Sequence, residues 1–308
     1  MIEAVLPYPQ IDPVLIHLGP IAVRWYAISY ISGLVLGWWL ILKTLRRASL
    51  WKNTPFNGKA PATADDIGDL FVWVVLGVII GGRLGYDLFY STIFCSLWTG
   101  PACQGLPMAF LYNPLRLIAD WDGWVPRLYG MSFHGGLIGV AVAIFLFCRK
   151  RKLDVLQVGD LIATVASIGL FFGRIANFIN GELWGKVTTS PLGMVFCNDT
   201  IVQTYGRCPA GAEPRYPSQL FEAALEGLLL FAIMQICLRK FRLHERPGLL
   251  TAIFFTGYGA ARFFVEFFRD SESKIADWFT MGMALSLPMW AAAAFFFWYA
   301  LKSPRAKT

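Results

Sequence analysis

The chain has 308 residues, of which 56% are hydrophobic and only 15% charged. An ordinary soluble domain carries about 25% charged residues, so the composition excludes a water-soluble fold and points to lipid as solvent. The net charge of +7 would suit nucleic acid or a membrane surface; the basic residues stand in short blocks between apolar runs, which decides for the membrane and against nucleic acid.

The first ten residues, MIEAVLPYPQ, hold an acid and no base. That is the wrong sign for the start of a signal peptide, and insertion is expected through the protein's own spans. A spanning helix needs about 20 mostly apolar residues. Seven segments qualify: Val23–Leu42, Ile67–Phe89, Ser132–Phe147, Val155–Phe178, Ser218–Leu238, Leu249–Phe268 and Met281–Leu301. The expected fold is therefore an all-α membrane protein, with residues 1–308 as a single polytopic domain. Two long loops, about residues 90–131 and 179–217, are expected to build a small head on one side.

The segments after the first, third, fifth and seventh spans hold sixteen Lys and Arg residues, and those after the other spans hold seven. Basic loops stay in the cytoplasm, so the N-terminus and both long loops are expected outside and the C-terminus inside. Cys95, Cys103, Cys197 and Cys208 then lie on the outer side, and Cys148 and Cys237 at inner helix ends. Outer cysteines can oxidise while inner ones stay reduced. Cys95–Cys103 and Cys197–Cys208 disulfides are expected, although spacing alone leaves all three pairings of four cysteines open.

An ionisable side chain inside a span is costly and marks function by default. Arg83, Arg174 and Arg262 come late in outward-running spans, while Tyr26, His134, Glu222 and Glu226 come early in inward-running ones. All belong to one level, near the outer surface. Arg24 reads as an interface anchor, and Arg83 as a partner of Asp87 one turn later. Arg174 and Asn177 share a helix face, and Tyr258, Arg262 and Glu266 form one stripe in which Glu266 either orients or neutralises Arg262. His134 opens its span in SFHGGLIG, where free amides exposed by Gly135 and Gly136 would favour an anion. The planar guanidinium fork suits phosphate, so an anionic ligand with a phosphate, arriving from the outer leaflet, is expected. His17, His134 and His244 are far apart and no Cys-x-x-Cys pair exists, so no metal is expected. Neither a nucleotide-binding glycine loop nor a serine nucleophile elbow is present.

One string is distinctive: GRIANFINGELWG, Gly173–Gly185. Others follow the same order along the chain: RWY (Arg24–Tyr26), GGRLGYDLFY (Gly81–Tyr90), MSFHGGLIG (Met131–Gly139), YPSQLFEA (Tyr216–Ala223) and GYGAARFFVEFFR (Gly257–Arg269). Together they resemble the bacterial phosphatidylglycerol–prolipoprotein diacylglyceryl transferases over nearly the whole chain. The resemblance implies a seven-spanning enzyme of the bacterial inner membrane, working at its periplasmic face without a cofactor. Its partners would be phosphatidylglycerol, a membrane lipid, and a prolipoprotein signal peptide with its lipobox cysteine. The diacylglyceryl group moves to that cysteine's thiol as a thioether, and glycerol 1-phosphate leaves. By motif, Arg174 and Arg262 match the essential arginines and His134 the histidine that acts as base. Tyr26, Asn177, Glu182, Gly185 and Glu266 match further important positions, and Arg83 and Tyr258, at the same level, complete the expected substrate-binding set.

The chain departs from the family pattern in two places. Tyr216 stands where a histidine often precedes PSQ, and WVPRLY separates Trp121-Asp122-Gly123 from Gly130-Met131. Two other readings compete: a carrier for an organic anion, which would move its ligand across sealed vesicles without forming a covalent product, and a lipid-binding subunit, which would form no thioether. The high position of the charges and the lack of repeat symmetry count against the carrier.

Overall fold

The structure, a computed structural model, describes residues 6–19, 21–53, 55–86, 88, 120–122, 125–127, 131–271, 275–276 and 278–302. Among the described residues, six helices are long and apolar enough to cross a membrane: α1 (Trp25–Leu45), α2 (Ala64–Gly85), α3 (Phe133–Arg151), α4 (Val155–Ile179), α6 (Ser218–Arg239) and α8 (Met281–Lys302). A short helix, α5 (Asp199–Tyr205), precedes α6, and a shorter apolar helix, α7 (Leu249–Val265), precedes α8. The chain is a multi-pass, all-α membrane protein, and each expected span corresponds to one of these helices. The sixth stops earlier than expected, because the backbone turns at Glu266 after Val265. Phe89, at the expected end of the second, lies outside the described residues.

The helices fall in two compact units, residues 61–158 and residues 1–60 with 159–308. In the first unit, a capping box starts α2: Asp66 N–H donates to Thr63 Oγ1 at 3.1 Å, and Thr63 N–H to Asp66 Oδ2 at 3.0 Å. Glycines then let α2 and α3 touch backbone to backbone. A Cβ on Gly81 would lie 2.7 Å from Gly139 Cα, and one on Gly85 2.5 Å from Gly135 Cα. Small residues four apart are how helices pack in lipid, where burying apolar surface drives nothing. Arg151, in the last turn of α3, pairs with Asp69 of α2. Two short strands, β3 (Asp120–Asp122) and β4 (Val125–Arg127), pair antiparallel. The residues that interrupt the family-like run thus supply the second strand of a hairpin. Cys95, Cys103 and Asp87 lie outside the described residues, as does the rest of that loop.

In the second unit, β1 (Val14–Leu18) and β2 (Ile21–Arg24) form an antiparallel hairpin that leads directly into α1. Gly33 of α1 meets Gly169 of α4, where a Cβ would stand 2.9 Å from Gly169 Cα. The start of α7 is capped across space by Asp160 of α4, whose buried carboxylate accepts from Gly248 N–H at 2.9 Å and from Thr251 N–H at 2.8 Å. The segment after α1 folds over a cluster of Leu50, Trp51, Phe56 and Leu161. His244, stacked on Phe56, hydrogen-bonds Leu50 O at 2.8 Å. Within α6, residues Ala223–Leu229 form a π-helical stretch, a feature that recurs at functional sites.

Residues 180–217, the second of the two long loops, are ordered around a small core. Tyr8, Met194, Phe196, Ile201 and Ala210 pack into a small core against Phe178 and Trp184. Cys197 and Cys208 are joined as expected.

Candidate active site

The ends of α4 and α7 and the beginning of α6 carry the charged residues, and the fold brings them onto one carboxylate. Glu222, the last residue before the π-helical stretch of α6, is fully buried. Its Oε2 lies 3.3 Å from Arg174 Nε. Its Oε1 accepts from Arg269 Nη1 at 3.0 Å and from Arg262 Nη1. Two further buried carboxylates hold one arginine each. Glu226, one turn along α6, accepts from Arg174 Nη2 at 3.1 Å, and Glu266 Oε2 stands 2.9 Å from Arg262 Nη2. Arg174, Arg262 and Arg269 thus meet Glu222, Glu226 and Glu266, and their formal charges cancel.

That balance extends the Arg262–Glu266 pairing expected from the stripe to all three arginines. Burying one unpaired charge in a low dielectric costs several kcal/mol, and each guanidinium instead has a carboxylate partner. The arginines retain some exposure, with 16% of each side chain accessible. Arg269, just beyond α7, holds its proton less firmly because it is buried and, next, because Arg262 repels it; Glu222 opposes both. A guanidinium stays charged regardless.

Beside this cluster lies a second one, in which an amide links a phenol to a carboxylate. Asn177, on the α4 face that carries Arg174, donates through Nδ2 to Tyr26 Oη at 2.6 Å and to Glu182 Oε1 at 2.9 Å. Tyr26 is close enough to Arg174 and Glu182 to feel both charges. Tyr258 of α7 likewise lies near enough to Glu226 and Arg174 to feel both charges. Tyr8 donates its hydroxyl to Phe178 O at 2.7 Å, and burial, helped by Glu182, pushes that phenol up to about 12. It therefore remains a hydrogen-bond donor that pins the end of α4.

The YPSQ string has a mechanical reason. Gln219 Nε2 donates to Glu182 O at 2.6 Å and Ser218 Oγ to Leu183 O at 3.0 Å. These bonds hold Leu183 at φ 58°, an uncommon conformation for a branched side chain. Gly185 is required by crowding: its N–H donates to Tyr216 O at 2.8 Å, and a Cβ there would lie 2.6 Å from both that oxygen and Phe268 O. The Tyr216 ring packs edge-on against Phe268, so aromatic packing occupies the place of the family histidine.

The sequence that builds this cluster is similar over nearly its whole length to known proteins. Residues 13–299 match the prolipoprotein diacylglyceryl transferase family. The chain belongs to that family. A relative from Caulobacter vibrioides, named phosphatidylglycerol–prolipoprotein diacylglyceryl transferase, is 46% identical over 309 residues, covering 96% of each chain. Relatives of the same name from Phenylobacterium zucineum and Rhizobium meliloti are 42% and 43% identical. The first covers 96% of this chain and 95% of its own, and the second 94% of each.

Of the expected site residues, the unit that holds the cluster contains Tyr26, Arg174, Asn177, Glu182, Gly185, Tyr258, Arg262 and Glu266. His134 and Arg83 belong to the other unit. There His134 is exposed in the first turn of α3, and Arg83 is buried with its guanidinium 5.8 Å from the Tyr86 ring. The amides after His134 are already engaged: Ser132 Oγ accepts from Gly135 N–H at 3.1 Å and Ser132 O from Gly136 N–H at 2.9 Å. Gly135 serves contact with Gly85, and the expected anion site at that helix start is not formed by these amides. Three residues of the cluster escaped sequence reasoning. Glu222 and Glu226 were visible as costly charges without a role, and Arg269 looked like an ordinary basic residue flanking a span. Among the described residues, no three of His, Cys, Asp and Glu gather as a metal site would.

Proposed function

We propose that this chain transfers the sn-1,2-diacylglyceryl group of phosphatidylglycerol to the lipobox cysteine thiol of a prolipoprotein, forming a thioether and releasing glycerol 1-phosphate. The observation that carries this reading is the meeting of Arg174, Arg262 and Arg269 on Glu222, in a chain of the prolipoprotein diacylglyceryl transferase family. Guanidiniums donate paired hydrogen bonds to a phosphate. Here their partner carboxylates hold them in place before any lipid arrives, so little reorganisation is needed during reaction.

In the reaction, the thiol sulfur attacks the glyceryl carbon that bears the phosphate ester. The sulfur–carbon bond forms, the carbon–oxygen bond breaks, and the electron pair passes to the phosphate oxygen. A thiol is a poor nucleophile until it loses its proton, and His134 takes that proton. Charge then grows on the departing phosphate, and Arg174 and Arg262 stabilise it more in the transition state than in the bound lipid. Asn177, Tyr26 and Glu182 position the polar headgroup, with Tyr258 beside them. Arg83 contacts substrate from its own helix, and Gly185 shapes the site by letting the strand-like segment approach Phe268.

The enzyme lies in the bacterial inner membrane with its N-terminus and site toward the periplasm and its C-terminus in the cytoplasm. The sixteen-to-seven bias of basic residues supports this orientation. So does the Cys197–Cys208 disulfide, in a loop that the same bias puts outside.

The test is purified protein with phosphatidylglycerol and a lipobox peptide, read by intact mass. A gain equal to one diacylglyceryl group on the cysteine is expected. Lipid bound without that gain, or an anion carried into sealed vesicles without it, would replace this reading with a binding subunit or a carrier. His134→Gln should lose nearly all activity at neutral pH; near-normal rates would remove it from the base role.

A further inference from the structure

The three carboxylates of the cluster are not equivalent. Among the described residues, Glu226 stands within ion-pair distance of Arg174 and Glu266 of Arg262, one guanidinium each. Glu222 is shared, standing within ion-pair distance of Arg174, Arg262 and Arg269. A phosphate bound by those arginines shares three guanidiniums with Glu222, two of which donate to it through Nη1. Charge makes the contest sharper. Three guanidiniums and three carboxylates sum to zero. A phosphodiester monoanion brings the site to one net negative charge. Cleavage of the carbon–oxygen bond adds a second, because the thiol proton goes to the base and the electron pair stays on phosphate.

We propose that Glu222 is the resident anion of the headgroup site: it holds the three arginines together while the site is empty, yields donors to the lipid phosphate, and repels the more highly charged phosphate product. This rests on the transferase reading and makes Glu222 a positioning residue whose charge sets the affinity for substrate and product. Its position supports the role. The carboxylate sits at the junction of regular helix and the π-helical stretch Ala223–Leu229, where α6 departs from a strict hydrogen-bond ladder. Like-charge neighbours in a low dielectric act strongly on one another, so product release benefits directly.

A merely structural carboxylate and a competing one predict opposite signs. Glu222→Gln keeps the size and removes the charge. If Glu222 competes, the variant binds glycerol 1-phosphate about tenfold more tightly, lowers KM for phosphatidylglycerol, and lowers kcat because product leaves slowly. If Glu222 only holds the arginines in place, the variant binds glycerol 1-phosphate more weakly and raises KM. Glu222→Asp withdraws the charge by one methylene and should tighten product binding a few-fold; it decides the matter if the Gln variant does not fold. Binding is measured by calorimetry on detergent-purified protein, independently of turnover. Equal or weaker binding in the folded variant overturns the proposal. Absence of thioether with the unaltered protein would instead overturn the transferase reading, so the two failures are distinguishable.

Discussion

Replacing Arg262 by Lys tests the claim that geometry, not charge alone, matters at the cluster. Arg262 reaches two different carboxylates, Glu222 through Nη1 and Glu266 through Nη2 at 2.9 Å. A lysine keeps the charge but presents it at one point on a differently shaped arm, so it can serve one of them. The abandoned carboxylate has nowhere to go. Glu266 is buried, and Gly282 of α8 presses on it so closely that a Cβ there would lie 2.6 Å from its Cδ. A lost hydrogen bond to a charged group costs about 1.5–3 kcal/mol, and the phosphate loses half of its forked contact at the same time. A fall of roughly 2–3 kcal/mol in transition-state stabilisation corresponds to about 30- to 150-fold in kcat/KM. Initial rates with phosphatidylglycerol and a lipobox peptide, followed by mass, measure it. A folded Arg262→Lys variant within threefold of the unaltered protein would refute the forked contact.

Other outcomes follow from parts of the fold away from the chemistry. Gly81→Val places a side chain where even a Cβ would lie 2.7 Å from Gly139 Cα; overpacking of this kind costs about 1–3 kcal/mol, and melting in detergent should fall accordingly. Asp160→Ala removes the acceptor of Gly248 and Thr251 N–H and of Thr251 Oγ1 at the start of α7; a loss of about 3 kcal/mol is expected, again read by thermal melting. Burial is the main reason that His244 protonates less readily than a free histidine; the Leu50 carbonyl opposes it and Arg242 reinforces it. The depressed folded value means that this contribution to stability is present above about pH 6.5 and is lost as pH falls further through the folded value. His244→Gln should flatten the acid limb of the melting-temperature profile.

The spanning helices were legible because about 20 apolar residues in a row have few other uses. The level of the charges was legible too, since it follows from where each lies in its span. What sequence position does not contain is direction around the helix relative to a neighbour. Glu222 and Glu226 were at the right height, but nothing in the sequence from Tyr216 to Glu226 says that both face Arg174. Arg269 was hidden because a basic residue just after a span is the ordinary pattern of a membrane boundary. The stripe Tyr258, Arg262, Glu266 succeeded because its members share one helix, where four-residue spacing settles neighbourhood. The β1–β2 hairpin was missed because four- and five-residue strands beside a spanning helix carry too short an alternation to stand out. Gly135 and Gly136 were read as opening an anion site, whereas Ser132 takes both amides and Gly135 serves close contact with Gly85.

The pairing of arginine with glutamate also bears on why such a site can exist in a membrane at all. Three guanidiniums gathered without partners would repel one another and forfeit solvation, and the helices carrying them would not pack. Three carboxylates remove that cost and fix each arginine in one orientation, which is the preorganisation that favours a developing phosphate charge. The same neutrality limits affinity, since the lipid phosphate competes with resident carboxylates for the charge of the arginines. A charge-balanced cluster therefore favours turnover over tight holding. A lipid that is already concentrated in the surrounding bilayer does not need to be bound tightly, and a charged product that must leave is better bound weakly. The distribution of partners matches that need: Glu226 and Glu266 are committed to single arginines, while Glu222 is spread over three and is the carboxylate whose bonds can most readily be divided with a phosphate.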